Sequence, residues 1–414
     1  MQRRSKSDPL SRLLFLHRAG PSRIDGHTVL LALNQCVKTS PPTQPRQLHA
    51  LMFRLGFSSL SALQTTLISA YSQCWNLADA RRMFGEITHR NVVSWTALIS
   101  AYVNHNRPDD ALRVFRQMQA DHVEPDRVAL TIALSACADS GARETGEWIH
   151  AYARRAGGFE DDLFFYNALL NMYAKCGDVG TSRWLFDGAR RRDVMTWTSM
   201  IVGHALHGQA EEALLLFDEM KRSCAVVPNG VTFVGVLMAC SHAGLVGEAR
   251  WHLESMSRDY GLEPRISHYG CVVDLLCRSG LLKEAHALIE SMLIRPNAVI
   301  WRTLLAAASL RGDSGLACRA RRSLLELEPG YDGDDVAMSN AYAAAGLWNE
   351  KENVREKMEQ KRVPGCSSIE VESRVHEFVS ADKSHTLRRE MHGVLRSLAE
   401  NSRLSETVLS YRGI

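Results

Sequence analysis

The sequence holds ten cysteines among 414 residues, yet no two stand as CxxC and no three cluster. Most sit inside apolar helical stretches, as Cys137 does in IALSACADSG and Cys240 in VLMACSHAG. That is the usage of small buried hydrophobes in a reducing compartment, and it argues against a disulfide framework or a zinc ribbon. No uninterrupted apolar run reaches the roughly eighteen residues of a membrane-spanning helix, so no membrane partner is expected. A glycine-rich phosphate loop, a GxSxG elbow and an HExxH pair are also missing, which removes common nucleotide-dependent, serine-hydrolase and zinc-protease chemistries. A strong basic excess is lacking too. The formal charge is +3, of which residues 1–25 contribute +4 through Arg3, Arg4, Lys6, Arg12, Arg18 and Arg23 against Asp8 and Asp25, so the remainder sums to −1. A generic nucleic-acid binder carries a large positive field, so any such binding by the body of this chain has to come from pattern.

What is present is repetition. YSQCWNLADARRMF at Tyr71 returns as YAKCGDVGTSRWLF at Tyr173, 102 residues on, and SWTALISAY at 94 returns as TWTSMIVGH at 196, again after 102. NALLNMYAKCG at 167 returns as GCVVDLLCRSG at 270, and Cys36, Cys137 and Cys240 mark a third series at steps of 101 and 103. Three interleaved series divide the long period into three units. The cuts fall at 26–60, 61–91, 92–126, 127–162, 163–193, 194–229, 230–265 and 266–297, a run of eight repeats of unequal length. In 92–126, Val93, Leu98, Ile99 and Tyr102 form one apolar face and Asn106, Arg107 and Pro108 break it. Ala111, Leu112, Phe115 and Met118 then form a second face at helical spacing, which Pro125 stops. A helix pair of this size cannot bury both faces alone, so stacked neighbours supply the core and the predicted fold is an all-α solenoid of helix-turn-helix repeats.

At this point the residues resemble a known family. The phrases NVVSWTALISAY, NALLNMYAKCGD, VTFVGVLMACSHAGLV and HYGCVVDLLCRSGLLKEA, the unequal repeat lengths and the tail PGCSSIEVESRVHEFVSADKSH are similar to plant pentatricopeptide-repeat (PPR) proteins of the PLS class. The resemblance covers about 26–385. It implies a right-handed α-solenoid superhelix whose first helices line a groove for single-stranded RNA. It also implies an E domain of degenerate repeats at 298–365 and an E-plus-like extension over 366–414, shorter than the family's. In that extension Ile369, Val371, Val375 and Phe378 among polar residues suggest a hairpin, and a closing helix is expected at roughly 386–400. The stretch MQRRSKSDPLSRLLFLHRAGPSR, basic and poor in acids, resembles an organellar targeting segment, so 1–25 is read as a transit peptide for mitochondrion or chloroplast.

In such a family the fifth and the last residue of a repeat contact the base edge, while the second residue packs against base faces. Carried onto this chain, the readers are Thr65 with Asn91, Thr96 with Asp126, Asn167 with Asp193, and Thr198 with Asn229. By the family's correspondence, hydroxyl with Asn favours adenine, hydroxyl with Asp guanine, and Asn with Asp uracil. The implied readout from five-prime to three-prime is A, G, one unassigned base, U, A. The unassigned slot belongs to Thr131 with Asp162, and Gly270 with Asn297 keeps half a pair, while Val234 with Arg265 cannot form one. The base-packing places are Ala62, Val93, Phe164 and Met195. Each of Asp126, Asn229 and Asn297 also follows a proline and precedes a helix, where a side-chain oxygen commonly caps free amides. The fourth-place aromatics Trp95, Trp197, Phe233 and Tyr269 are expected in the core.

Many relatives end in a zinc-dependent cytidine deaminase, which needs a His or Cys ligand near a proton-shuttling Glu and then a CxxC. The HxE at His252-Leu253-Glu254 lies in a second-helix pattern and no CxxC follows, so His252 is read as a packing or helix-surface residue. The expectation is therefore a non-enzymatic specificity factor, with no cofactor and no metal, that binds single-stranded organellar RNA upstream of a target cytidine. The deaminase would come in trans from a second PPR protein that bears one, together with other editing factors. A splicing, cleavage or stability factor for organellar RNA, or a helical-repeat protein scaffold, are the alternatives.

Overall fold

The computed structural model describes residues 25–39, 44–157, 162–223, 226–359, 366–371 and 374–379. The expected targeting segment, apart from Asp25, and the closing helix expected at 386–400 lie outside the described residues. The chain divides into two compact units, 1–304 and 305–414, with the boundary inside a helix.

The first unit is a row of helix pairs. They run α1 (Gly26–Thr39) and α2 (Gln44–Arg54), α3 (Ser61–Gln73) and α4 (Leu77–Glu86), α5 (Val92–Asn104) and α6 (Pro108–Ala120), α7 (Arg127–Ser140) and α8 (Arg143–Ala156). Then come α9 (Leu163–Lys175) and α10 (Val179–Gly188), α11 (Val194–Leu206) and α12 (Ala210–Arg222), α13 (Gly230–Ala243) and α14 (Val246–Tyr260), α15 (Ile266–Arg278) and α16 (Leu282–Glu290). Helix α17 (Ala298–Arg311) carries the chain past the boundary. From α1 to α15 each first helix lies against the next first helix, forming one continuous layer, and each second helix packs on its own partner. This is an α-solenoid, in which neighbours supply the core that one pair lacks.

The recurring joint has one backbone cause. Asn76 N donates to Tyr71 O (3.0 Å), Asp178 N to Tyr173 O (3.0 Å), Gln209 N to His204 O (2.9 Å) and Leu281 N to Leu276 O (2.9 Å). Each is the long bond of a Schellman stop, which needs one left-handed residue just before the donor. Gly177 takes that place at φ 89°, while its counterpart 102 residues earlier is Trp75, held at φ 57° against the usual preference of an L side chain. Close approach between first helices also selects residue size. A Cβ added at Gly203 on α11 would stand 2.6 Å from the Cβ of Ala174 on α9.

The long period persists in side-chain packing. Trp95 is fully buried and meets Phe84 edge-on at 4.7 Å, and Trp197 meets Phe186 the same way at 4.9 Å. A guanidinium covers each pair, Arg90 over Phe84 at 4.9 Å and Arg192 over Phe186 at 4.4 Å. Phe233 and Tyr269 are buried as well. Trp95, Trp197 and Phe233, which meets Phe217 at 5.5 Å, thus bind their first helices to the second helix before them, with the large apolar area that aromatic side chains bring to a core.

The second unit contains the end of α17, then α18 (Ser314–Leu327), α19 (Asp332–Ala344) and α20 (Trp348–Glu359). Arg321 on α18 donates to Asp335 on α19 through Nε (3.1 Å) and Nη2 (2.6 Å), and Arg355 on α20 donates to Ser339 Oγ (2.8 Å). Strands β1 (Cys366–Val371) and β2 (Arg374–Val379) pair antiparallel, Cys366 opposite Val379 and Val371 opposite Arg374.

Candidate nucleic-acid interface

Most first helices share one start, while Leu60 before α3 and Arg265 before α15 supply no side-chain cap. The others begin one residue after a polar side chain that caps them: Asn91 accepts from Ser94 N (3.0 Å), Asp126 from Ala129 N (2.8 Å), and Asp162 from Phe165 N (2.9 Å). Asp193 accepts from Thr196 N (2.9 Å), Asn229 from Thr232 N (3.0 Å), and Asn297 from Ile300 N (3.1 Å). Such caps contribute about 1 kcal/mol each to a helix. One oxygen serves the cap, and the second polar atom of the side chain is what remains for a ligand. Asn91 and Asn229 then keep an amide that can donate, and Asp126 keeps a carboxylate oxygen that can accept. Asp162 keeps neither, because its Oδ2 is taken by the Arg127 guanidinium.

One residue into the helix the side chain faces solvent. Val93 is 54% exposed, Phe164 83% and Met195 51%, and Ala62 is exposed too. The same place in the two intervening 36-residue repeats holds Val128 and Val231, 50% and 57% exposed. These two belong to the same row and are absent from the base-packing set read from the sequence. Five neighbouring first helices therefore each present an exposed apolar side chain in their first turn, with the polar cap two residues before it.

The fifth residues fall into two groups. Thr65, Thr96 and Thr131 are half-buried, and each hydroxyl donates back to its own helix, at Ser61 O (2.8 Å), Val92 O (2.7 Å) and Arg127 O (2.7 Å). With the proton committed, each offers lone pairs only. Asn167 and Thr198 are buried and instead reach the next repeat. Asn167 Nδ2 donates to Asp193 Oδ1 (3.0 Å), and its Oδ1 lies 2.8 Å from the Thr196 hydroxyl, which is also 2.9 Å from Asp193 Oδ1. Thr198 Oγ1 lies 2.7 Å from Thr232 Oγ1, which in turn lies 3.1 Å from Asn229 Oδ1 and accepts from Asn229 N at 3.2 Å.

The structure therefore joins two of the four pairs. Asn167 meets Asp193 directly, and Thr198 meets Asn229 through Thr232. Thr65 and Asn91, like Thr96 and Asp126, make no hydrogen bond to each other. Gly270 leaves open space where a side chain would stand. At the start of the same repeat, the Arg265 main-chain N donates to His268 Nδ1 (2.8 Å) and the ring's Nε2 reaches Gly230 O (2.7 Å), so an imidazole occupies the linking place filled by Thr196 and Thr232 elsewhere. Burial raises the Asp193 carboxyl, but donors from Thr196 and Asn167 outweigh it and leave the group below its usual range. It is a carboxylate at neutral pH.

Profiles of the PPR repeat family match residues 90–139 and 192–242, single PPR repeats match 65–92, 164–194 and 267–295, and an E motif matches 312–370. A pentatricopeptide repeat-containing protein of Arabidopsis thaliana is 37% identical over 410 residues, which is 90% of this chain and 77% of the relative. A chloroplastic one from the same plant is 37% identical over 380 residues, 91% of this chain and 51% of the relative. The chain spans about half the length of several curated relatives it matches. Among solved structures, the pentatricopeptide repeat protein PPR10 in complex with an 18-nt psaJ RNA element superposes with a TM-score of 0.60 at 18% identity, over 86% of this chain and 58% of that one. Repeats, E motif and a relative matched across 77% of its length place the chain in the pentatricopeptide-repeat family, in its E-motif-bearing PLS class.

Proposed function

We propose that the first helices bind single-stranded RNA one base per repeat, and that the protein is a site-specificity factor for organellar C-to-U editing whose deaminase is supplied in trans. One observation carries the reading: an exposed apolar second residue recurs beside a capping side chain, and at every such cap but Asp162 a polar atom is left over. Apolar side chains one repeat apart can hold a base by its faces, and the remaining polar atoms address its edge.

The leftover atoms suit the implied bases. An Asn91 or Asn229 amide donates to a ring nitrogen of adenine, whose amino group can meet threonine lone pairs. The spare oxygen of Asp126 accepts from the N1–H and amino group of guanine. The remaining Asn167 N–H and Asp193 carboxylate oxygen match the carbonyl and N3–H of uracil. A wrong base leaves a desolvated polar group unpaired, at about 1–3 kcal/mol. The E motif favours editing over other organellar RNA work, and the chloroplastic and mitochondrial names of relatives favour an organelle.

The test is binding of the purified chain to RNA containing AGNUA, N being any base, against RNA with the first A and the G exchanged. The first RNA is expected to bind more tightly, and Asp126→Asn is expected to move preference at the second base from G toward A. Equal binding of both RNAs, unmoved by that substitution, refutes base reading. Because residues 26–414 carry a net charge of −1, the salt dependence is expected to be shallow, with a log–log slope of about −0.7 for each phosphate neutralised.

A further inference from the structure

The repeat at 230–265 holds a second cluster, separate from the base-reading places. Glu248 and His252 stand four residues apart on α14, a spacing that puts both on one helix face, and Cys240 faces them from α13. A ligand-capable atom of each, the Cys240 Sγ, a Glu248 carboxylate oxygen and a His252 ring nitrogen, lies within 4.8 Å of the other two. Cys240 is fully buried and His252 is 7% exposed, while Glu248 reaches solvent. Phe217, Trp251 and Phe233 surround the imidazole, with ring centres 5.4, 4.9 and 6.5 Å away. In that apolar setting His252 Nδ1 is buried without a hydrogen-bond partner. A phenyl ring would pack there with no orphaned nitrogen, so packing alone does not account for histidine.

Thiol, imidazole and carboxylate together are the donor set of a borderline-soft divalent cation, and three protein ligands leave a fourth position for water. We propose that Cys240, Glu248 and His252 bind Zn2+ or a divalent cation of similar softness, tying α13 to α14, with the exposed Glu248 side as the route of entry. The chemistry balances without a further reactant. Burial holds the imidazole down, to about 4, so at neutral pH it is already the uncharged ligand; Lys221 lowers it further and Asp218 opposes. Burial also pushes the Cys240 thiol up to about 12, and Glu248 adds to this. The thiol proton must therefore leave to solvent as the sulfur–metal bond forms, which makes binding tighter as pH rises. The metal would stiffen the repeat that contributes Val234 and Arg265, which read no base by the rule above.

The test uses the full chain, reduced, stripped with chelator and titrated with Co2+ in the absence of RNA, so its outcome does not depend on RNA reading. Expected are a thiolate-to-cobalt charge-transfer band and the visible bands of four-coordinate Co2+, saturating at one equivalent and bleached by Zn2+, which also raises the melting temperature. Cys240→Ser and His252→Phe are expected to lose the bands and the thermal shift, while Cys74→Ser, in another repeat, keeps both. Glu248→Gln alters an exposed side chain, so its helical signal stays intact while Co2+ affinity falls. No one-equivalent step, bands that survive in His252→Phe, or unchanged affinity in Glu248→Gln overturns the site.

Discussion

Replacing Thr232 by valine keeps the shape of a fully buried side chain and removes one oxygen. That oxygen links Thr198 Oγ1 (2.7 Å) to Asn229, whose Oδ1 is 3.1 Å away and whose main-chain N donates at 3.2 Å. Asn229 Oδ1 still accepts from the residue-232 amide, so the cap itself survives. Thr198, 3% exposed, loses its only side-chain partner among the described residues. It is then expected to turn back to the carbonyl four residues earlier, as Thr65, Thr96 and Thr131 do. Lost hydrogen bonds at a buried site are worth about 1–2 kcal/mol of stability in total. The specific consequence is local. Thr198 and Asn229 stop presenting a fixed pair, and the preference for adenine at the fifth base of AGNUA falls about tenfold, the equivalent of about 1.4 kcal/mol. Fluorescence anisotropy with RNAs changed only at the fifth or only at the second base separates the two effects. Discrimination at the second base, which the proposed reading assigns to Thr96 and Asp126, should not move, and Thr232→Ser should restore the fifth. Undiminished fifth-base preference in the valine variant, or an equal loss at both bases, refutes the linkage.

Two further outcomes follow from the geometry. Phe164→Ala removes a ring that is 83% exposed; RNA affinity should fall by about 1–3 kcal/mol by calorimetry, with folding stability and base preferences unchanged, and an unchanged affinity removes Phe164 from the interface. In chelator-treated protein His252 titrates near 4 when folded against 6.5 as a free group. The unfolded chain therefore takes up a proton that the folded state refuses, so stability is complete above pH 6.5 and falls as pH drops toward 4, by at most about 3 kcal/mol. His252→Phe should flatten that limb of the melting-temperature profile, and a limb of unchanged slope shows that another group causes it.

Much of the solenoid was legible because helix pairing writes itself into spacing. The 102-residue period appears in the backbone as the same Schellman joint and in the core as Phe84 with Trp95 and Phe186 with Trp197. The caps at Asp126, Asn229 and Asn297 were legible because each is a short polar residue after proline and before an apolar run, whereas Asn91, Asp162 and Asp193 follow no proline and their caps show only in the structure. Trp75 hid its left-handed place, because only the copy with Gly177 declares it. What the pattern could not reveal is contact between residues far apart in sequence. Arg127 closes off Asp162 from 35 residues away, and nothing local marks that loss. The third residues Thr196 and Thr232 carry no local mark of their reach to Asn167 and Thr198 of the previous repeat, which needs the stacked helices. Cys240 and His252 lie on different helices and read as separate packing residues until the turn at Gly244 folds them together.

If the proposed reading holds, capping and base reading are not rival uses of the same side chains but parts of one device. A helix start needs one acceptor, and Asn or Asp brings two polar atoms on a planar group. Once the first oxygen is fixed on the N3 amide, the plane and direction of the second atom are fixed with it, at no further cost in side-chain freedom. On the proposed reading a base edge would meet a preorganised donor in Asn or acceptor in Asp, and the difference between adenine and guanine would reduce to which of the two stands at the cap. Serine or threonine would cap comparably well but would leave no second atom. The proposed reading thereby gives a reason for Asn91, Asp126, Asp193 and Asn229 at places where the helix alone would accept a hydroxyl.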